Sequence, residues 1–155
     1  MEELLATAVM PVSGGARAER RFHRFVRCAA AALTAAGVAV LAGWAFDVPL
    51  LKSLHPALVT MKANTAACFA LAGLALWLLL PGGAGPWRRR AGQGCAALVG
   101  LVGLLTMGEY VFGAELGIDQ MLFREAPGAV ATTHLGRMAV NTAAAFLLIA
   151  LALLW

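Results

Sequence analysis

The hydrophobic residues of this chain form long uninterrupted runs and do not alternate with polar residues. Four runs cover approximately residues 26–46, 57–80, 92–112 and 138–155. Each is close to the roughly 20 residues that a helix needs to cross about 30 Å of hydrocarbon. Because a segment in lipid must satisfy its own backbone hydrogen bonds, continuous apolar runs of this length predict four transmembrane helices.

The composition indicates the same class of protein. Hydrophobic residues make up 61% of the 155 residues and charged residues 13%, whereas a soluble domain has about 45–50% apolar and about 25% charged residues. The net charge of +4 is too small and too divided to indicate nucleic-acid binding. We therefore predict an all-α integral membrane four-helix bundle over residues 26–155, preceded by a cytoplasmic basic tail over residues 1–25.

The positions of the basic residues predict the orientation of the bundle. With the N-terminus inside, eight of the 12 basic residues lie on the inner side, in the tail and in the loop of residues 81–91. The four on the outer side are Lys52, Lys62, Arg124 and Arg137. Since basic loops stay in the cytoplasm, this asymmetry favours cytoplasmic positions for both ends of the chain.

An internal repeat divides the chain into two halves. Residues 61–69 and residues 138–146 are identical at six of nine positions, and each segment opens an inward-running helix. A weaker similarity joins the ends of the first and third runs, at residues 44–46 and 110–112. The repeat predicts two tandem transmembrane helical hairpins in the same orientation, the second with a longer outer loop.

Each copy of the repeat places an asparagine and a threonine in the first turn of its helix. Asn64 and Asn141 are positioned to cap free backbone N–H groups or to hydrogen-bond to a neighbouring helix, which is worth about 1 kcal/mol. In one interpretation the two motifs only cap and pack their helices. In the other they line a shared site near the outer leaflet.

Three charged residues are expected in one layer below the outer surface. Counted from the inner helix ends at about 1.5 Å per residue, Lys62, Glu109 and Arg137 reach a similar depth. A carboxylate there is costly unless it is paired, and Lys62 or Arg137 is placed to pair with Glu109. Such a layer either fixes the helix register or contacts a ligand. Our candidate ligand- or signal-sensing residues are Lys62, Asn64, Glu109, Arg137 and Asn141.

Two further patterns concern packing and the outer loop. Small residues four apart predict a helix-packing face at Ala35, Ala39 and Gly43. In the long outer loop, residues 117–123 mix polar and large apolar side chains, which predicts a short amphipathic segment lying on the membrane.

Catalytic and metal-binding patterns are absent from the sequence. His55 and His134 both lie in outer loops, but no third ligand accompanies them at useful spacing, and the three cysteines are far apart. We find no nucleophile–base pair, and the glycine-rich inner turn lacks the lysine of a phosphate-binding loop. The sequence therefore predicts no catalytic site, no metal and no cofactor.

Four segments taken together resemble a known family. They are residues 61–69, 103–113, 116–120 and 134–143, in this order. They are similar to the N-terminal membrane region of bacterial sensor histidine kinases and diguanylate cyclases, which precedes PAS, kinase or GGDEF domains. The chain departs from that pattern at Leu135, where proline is usual, and at Ala139-Val140, where a proline often precedes the asparagine.

The resemblance implies a sensory input module in a bacterial inner membrane. It also implies homodimerisation and a cytoplasmic output domain, either a histidine kinase or a diguanylate cyclase, which would follow Trp155 in the same chain unless the chain is a stand-alone relative. In this interpretation a signal at the outer leaflet or in the lipid shifts the packing of the hairpins, and the last helix transmits the shift. The alternative is a small structural subunit of a larger membrane complex. A channel or transporter fits less well, because the mid-span positions are apolar.

Overall fold

A computed structural model describes residues 13–53, 58–81, 85–128 and 134–155 of the chain. His55, residue 57 at the start of the second predicted span, and the first part of the basic tail lie outside the described residues. The secondary structure of the described residues is entirely helical, in agreement with the predicted all-α class.

Five α-helices and one short 3-10 turn are present in the described residues. The α-helices are α1 (Ser13–Ala45), α2 (Pro49–Lys52), α3 (Ala63–Leu79), α4 (Pro86–Phe112) and α5 (Val140–Leu154), and the 3-10 turn is Ile118–Gln120. Prolines open α2 and α4 at a position where the missing N–H costs nothing. Gly113 ends α4 in the left-handed conformation, which glycine adopts without strain.

The helix bounds differ from the predicted spans at both ends of the bundle: on the side opposite the basic residues, α3 begins at residue 63, where the sequence predicts 57. Helices α1 and α4 begin at residues 13 and 86, where the sequence predicts 26 and 92, so that part of the basic tail is helical. The ranges Arg17–Ala45 and Pro86–Phe112 are long and apolar enough to cross a membrane, whereas α3 and α5, with 17 and 15 residues, are shorter apolar helices.

Helix α3 occupies the centre of the fold. It packs against α1 on one side and α4 on the other, while α5 packs against α4 and touches α3. The buried hydrophobic side chains among the described residues are mostly small. They are Ala30, Ala63, Ala66, Cys68, Ala72, Ala75, Ala96, Val99, Met138, Ala143, Phe146 and Ala150. The helices are therefore held together by close backbone approach more than by bulky interlocking side chains.

Two glycines that permit close helix approaches occupy equivalent places in the two halves. A Cβ at Gly37 would lie 2.5 Å from the carbonyl oxygen of Ala66 in α3. A Cβ at Gly103 would lie 2.8 Å from the carbonyl oxygen of Ala143 in α5. Ala66 and Ala143 are matching positions of the sequence repeat, so both hairpins use the same packing contact.

The predicted packing face of α1 is wrong at two of its three positions. Ala35 and Ala39 are exposed, whereas Gly43 is buried. The face that contacts α3 runs instead through Ala30 and Gly37. In a helix this rich in alanine, several small-residue stripes satisfy the same spacing, and only the position of the neighbouring helix selects one of them.

A second pair of contacts also repeats between the halves. The indole Nε1 of Trp44 donates to the carbonyl oxygen of Met61 at 2.9 Å, and the hydroxyl of Tyr110 donates to the carbonyl oxygen of Met138 at 3.1 Å. In each hairpin an aromatic residue near the end of the first long helix thus binds the backbone just before the next helix. Lys62 and Ala139, which follow the two methionines, have nearly identical extended backbone angles.

Candidate functional site

Buried charged side chains are concentrated at one end of the bundle, which we call the cap end. Here α1 and α4 end and α3 and α5 begin. Five charged residues at this end are at most 8% exposed: Lys62, Glu109, Asp119, Glu125 and Arg137. Because burying a charge is costly unless it is paired, the contacts among these five residues determine how this end is held together.

Arg137, three residues before α5, is the centre of the first group of charges. Its Nε lies 2.6 Å from Oδ2 of Asp119 and 3.4 Å from Oε2 of Glu109. Its guanidinium carbon also lies 5.5 Å from the centre of the Tyr110 ring, within the range of a cation–π contact. Burial alone would lower the pKa of Arg137, but the two carboxylates hold that pKa above its ordinary value.

Glu109 connects α4 to the loop that follows it. Its Oε1 accepts a hydrogen bond from the backbone N–H of Leu116 at 2.8 Å. Its Oε2 and Oδ1 of Asp119 have no hydrogen-bond partner among the described residues, although both side chains are buried. The two carboxylates therefore share one guanidinium, and Arg137 is the cation that offsets their negative charge.

Lys62 belongs to a second group of charges, centred on Glu125. The ammonium of Lys62 lies 2.5 and 2.7 Å from the two carboxylate oxygens of Glu125. Glu125 also accepts hydrogen bonds from the hydroxyl of Thr60 at 3.1 Å and from the N–H of Gly136 at 2.7 Å. Burial by itself raises the pKa of Glu125, but the hydrogen bonds with Lys62 and Gly136 bring that pKa below its ordinary value, so the carboxylate of Glu125 is ionised at neutral pH.

The described parts of the loop between α4 and α5, residues 113–128 and 134–139, thus fold over the cap end and tie the two hairpins together. Glu125 fastens the loop to the start of α3, and Asp119 fastens it to the segment before α5. The Phe123 ring stacks on Trp44 of α1, with 6.1 Å between ring centroids. Gly136 has a positive φ of 74°, and its Cα packs so closely on the carbonyl of Asp119 that a side chain would collide with it.

The segment over residues 117–123, predicted to be amphipathic, contains little regular structure. Only Ile118–Gln120 forms one 3-10 turn. Asp119 and Glu125 turn inward to the bundle, while Met121 and Leu122 remain exposed. The two buried cations outcompete solvent for these carboxylates, and this pairing bends the segment back over the helices.

The structure brings together only some of the five predicted site residues. Glu109 and Arg137 are in contact, as anticipated, whereas Lys62 pairs with Glu125 and not with Glu109. Asn64 is buried and its amide nitrogen has no hydrogen-bond partner among the described residues. Asn141 is exposed. The two asparagines of the repeat therefore lie in different surroundings and do not face one another across a shared site.

Both asparagines do bind backbone at the start of their helices. Oδ1 of Asn64 accepts from the N–H of Thr65 at 2.8 Å, and Oδ1 of Asn141 accepts from the N–H of Thr142 at 2.9 Å. Each satisfies one of the N–H groups that the first turn of a helix leaves free. The N-cap positions themselves are Lys62 and Ala139, whose side chains make no capping hydrogen bond, so each asparagine contributes its bond from inside the first turn.

Asp119 and Glu125 escaped the sequence reasoning. One signal was available: the predicted outer segments contain five acidic residues for four basic ones, whereas the inner segments are strongly basic. Such a balance indicates pairing, but it does not indicate which carboxylate meets which cation.

A cavity of about 410 Å³ lies at the cap end between the starts of α3 and α5. The two threonines of the repeat, Thr65 and Thr142, both line it. Tyr110, His134, Lys62 and Arg137 also contribute to its walls, with apolar residues between them. It is the threonine of each Asn-Thr motif, and not the asparagine, that faces the space between the two hairpins.

Comparison with known proteins gave no match: no family model, no curated protein and no solved structure corresponds to this chain. The functional assignment therefore depends on the geometry of the molecule.

Proposed function

We propose that the chain is a membrane-embedded sensory input module whose four long helices, α1, α3, α4 and α5, all cross the bilayer. The first support is the inverted distribution of apolar side chains. Large ones are exposed, including Phe25 (71%), Leu104 (56%) and Leu148 (67%), while the buried ones are mainly alanines. In water such extensive apolar exposure is unfavourable, whereas lipid is its natural solvent.

The lengths of the helices are compatible with this arrangement. Helices α3 and α5 have 17 and 15 residues, which corresponds to roughly 25 and 22 Å. Met138 and Ala139 add apolar length before α5. A remaining mismatch of a few ångströms costs fractions of a kcal/mol per ångström, through local thinning of the bilayer.

The two ends of the bundle treat their basic residues differently, which supports the proposed orientation. At the cap end, Lys52, Lys62 and Arg137 each pair with a carboxylate. At the opposite end, seven arginines are exposed: Arg17, Arg20, Arg21, Arg24, Arg27, Arg89 and Arg90. Unneutralised basic residues are typical of the cytoplasmic side.

Reporter fusions test the membrane topology. We expect alkaline phosphatase to be active when it is inserted after Gly128 and inactive when it is fused after Trp155 or at the N-terminus. Green fluorescent protein should give the opposite pattern, and the chain should stay in membranes after a carbonate wash. Extraction by carbonate, or phosphatase activity at the Trp155 position, would contradict the four-span arrangement.

The assignment of a sensory role depends on one observation: the cap end holds both hairpins through two neighbouring groups of buried charges next to a cavity. Helix α5 starts at these groups and runs to the opposite, basic end. A ligand or lipid change that altered these groups would bias the packing of α5 against α4. Closely packed helices have discrete arrangements, so a modest difference in binding free energy shifts their populations.

A fusion to an output domain tests the sensory role. We join the catalytic region of a histidine kinase in helical register after Trp155 and measure its autophosphorylation in membrane vesicles. Glu109→Gln weakens the link between α4 and Arg137, so we expect kinase activity to fall about fivefold or more, the range of a typical allosteric coupling.

Glu115→Gln is the matched control, because Glu115 lies close to Glu109 in the sequence, in the loop that follows α4, and its side chain is exposed. Its kinase activity should equal that of the wild type at equal membrane abundance. Equal activity in Glu109→Gln and the wild type would refute transmission through the cap end. Tight co-purification with a fixed partner would then support the structural-subunit alternative.

A further inference from the structure

We propose that the cavity between the starts of α3 and α5 binds an anionic phosphate-type group, held by the hydroxyls of Thr65 and Thr142. The group belongs either to a free solute or to a lipid headgroup. This inference rests on the proposed sensory function and names the chemistry of its ligand.

The convergence of two helix N-termini is the first observation. Thr65 and Thr142 are the third residues of α3 and α5, and both line the cavity. The first turn of a helix presents free N–H groups and the positive end of the helix dipole. Phosphate and carboxylate groups bind at helix N-termini, and here the N-termini of α3 and α5 border the same cavity.

The hydroxyl of Thr65 is a second and independent observation. Thr65 is only 8% exposed, yet its hydroxyl makes no hydrogen bond within the described parts of the chain. Thr65 lines the cavity. The hydroxyl is therefore available to donate to a ligand in that cavity.

The charges around the cavity determine the sign of the ligand. Lys62, Arg137 and His134 are among its lining residues, and no described residue with an acidic side chain is. The carboxylates that pair with Lys62 and Arg137 lie outside the lining. The cavity wall therefore presents two helix N-termini and no described carboxylate, so an anion is the ligand that this surface favours.

The apolar residues of the cavity lining favour an anion that also carries a hydrocarbon portion. Val59, Met61, Met138 and Ala139 complete the walls. An anion that carries a hydrocarbon portion, as a phospholipid does, would contact these residues as well as the threonines. The volume of about 410 Å³ accommodates a headgroup or a small phosphorylated solute.

Valine substitutions test the proposal, since they remove the hydroxyl and keep the shape of the side chain. The full chain is placed in phosphatidylcholine nanodiscs, and binding of inorganic phosphate is measured by calorimetry and thermal unfolding, against chloride at equal ionic strength. We expect Thr65→Val and Thr142→Val each to weaken binding about tenfold, the value of a hydrogen bond to a charged group.

Thr106→Val is the matched control. Thr106 is fully buried in α4, its hydroxyl has no hydrogen-bond partner among the described residues, and it is not among the residues that line the cavity. Its substitution should leave phosphate binding unchanged. Circular dichroism of each variant verifies that the helices remain intact.

A second set of nanodiscs, containing phosphatidylglycerol, identifies the source of the anion. Binding of free phosphate in phosphatidylcholine supports a solute. Stabilisation by phosphatidylglycerol that Thr65→Val and Thr142→Val abolish supports a lipid headgroup, because lipid bound only to the exposed arginines of the basic end would not respond to these substitutions.

The proposal is overturned if neither phosphate nor phosphatidylglycerol stabilises the wild type in a threonine-dependent way, or if Thr106→Val weakens binding as much as Thr65→Val. These measurements need no output domain. A chain that binds phosphate through its threonines but leaves the kinase fusion unresponsive to Glu109→Gln would contradict the sensory role and leave the anion site intact. A kinase fusion that responds to Glu109→Gln, in a chain that binds no phosphate through its threonines, would reject the anion site and leave the sensory role intact.

Discussion

Replacing Arg137 by methionine is expected to lower the free energy of unfolding by about 3–5 kcal/mol, the usual cost of removing one partner of a buried ion pair. Methionine fills a similar volume but leaves Asp119 and Glu109 buried without a cation. The loop between α4 and α5 would also lose its attachment to the start of α5. Unfolding by sodium dodecyl sulfate in mixed micelles, followed by circular dichroism, measures the change.

Arg124→Met is the matched control for this substitution. Arg124 lies in the same loop and is exposed, so its loss should change stability by less than about 0.5 kcal/mol. Adding Glu109→Gln and Asp119→Asn to Arg137→Met should recover part of the lost stability, because the unpaired charges are then removed. An effect of Arg137→Met no larger than that of Arg124→Met would show that the cluster does not hold the cap end together.

A single methyl group at Gly37 is expected to destabilise the bundle by about 2–3 kcal/mol, near the upper part of the usual range for overpacking. The new Cβ would lie 2.5 Å from the carbonyl oxygen of Ala66 and from the N atom of Ala70. Both are backbone atoms, so the collision is relieved only if α1 moves away from α3. Gly103→Ala should act in the same direction on α4 and α5. The same detergent titration measures both variants.

Gly94→Ala is a control that is expected to raise the free energy of unfolding in the same detergent titration. Gly94 lies in α4 with no other group within 4 Å of the position of its Cβ. Alanine is a better helix former than glycine by up to about 1 kcal/mol, so this variant should be slightly more stable than the wild type. Equal effects at Gly37 and Gly94 would mean that intrinsic helix propensity, and not helix contact, governs the response.

The internal repeat shows which features of the structure could be predicted from the sequence. The similarity between residues 61–69 and 138–146 suggested duplicated hairpins, and the contacts of Gly37 and Gly103, and of Trp44 and Tyr110, are duplicated in the same way. A repeated sequence has the same local propensities and small-residue positions in both copies. Each copy therefore reproduces the same hairpin contact.

The two Asn-Thr motifs, in contrast, differ in how deeply their asparagines are buried. Asn64 is buried and Asn141 is exposed, although their local sequences agree. The reason is position: α3 lies in the centre between α1 and α4, whereas α5 packs mainly against α4. Burial depends on the number of neighbouring helices, which a local motif does not specify.

The sequence by itself determined the helical class, the approximate helix positions and the duplication, because these follow from the length of apolar runs and from local residue order. It also indicated that Glu109 needs a cationic partner. Only the tertiary structure decided that Lys62 pairs with Glu125, that Arg137 holds Asp119 with Glu109, and that the threonines of the repeat face a common cavity. Those pairings join residues far apart in the chain, and their geometry exists only once the loop between α4 and α5 has folded over the ends of both hairpins.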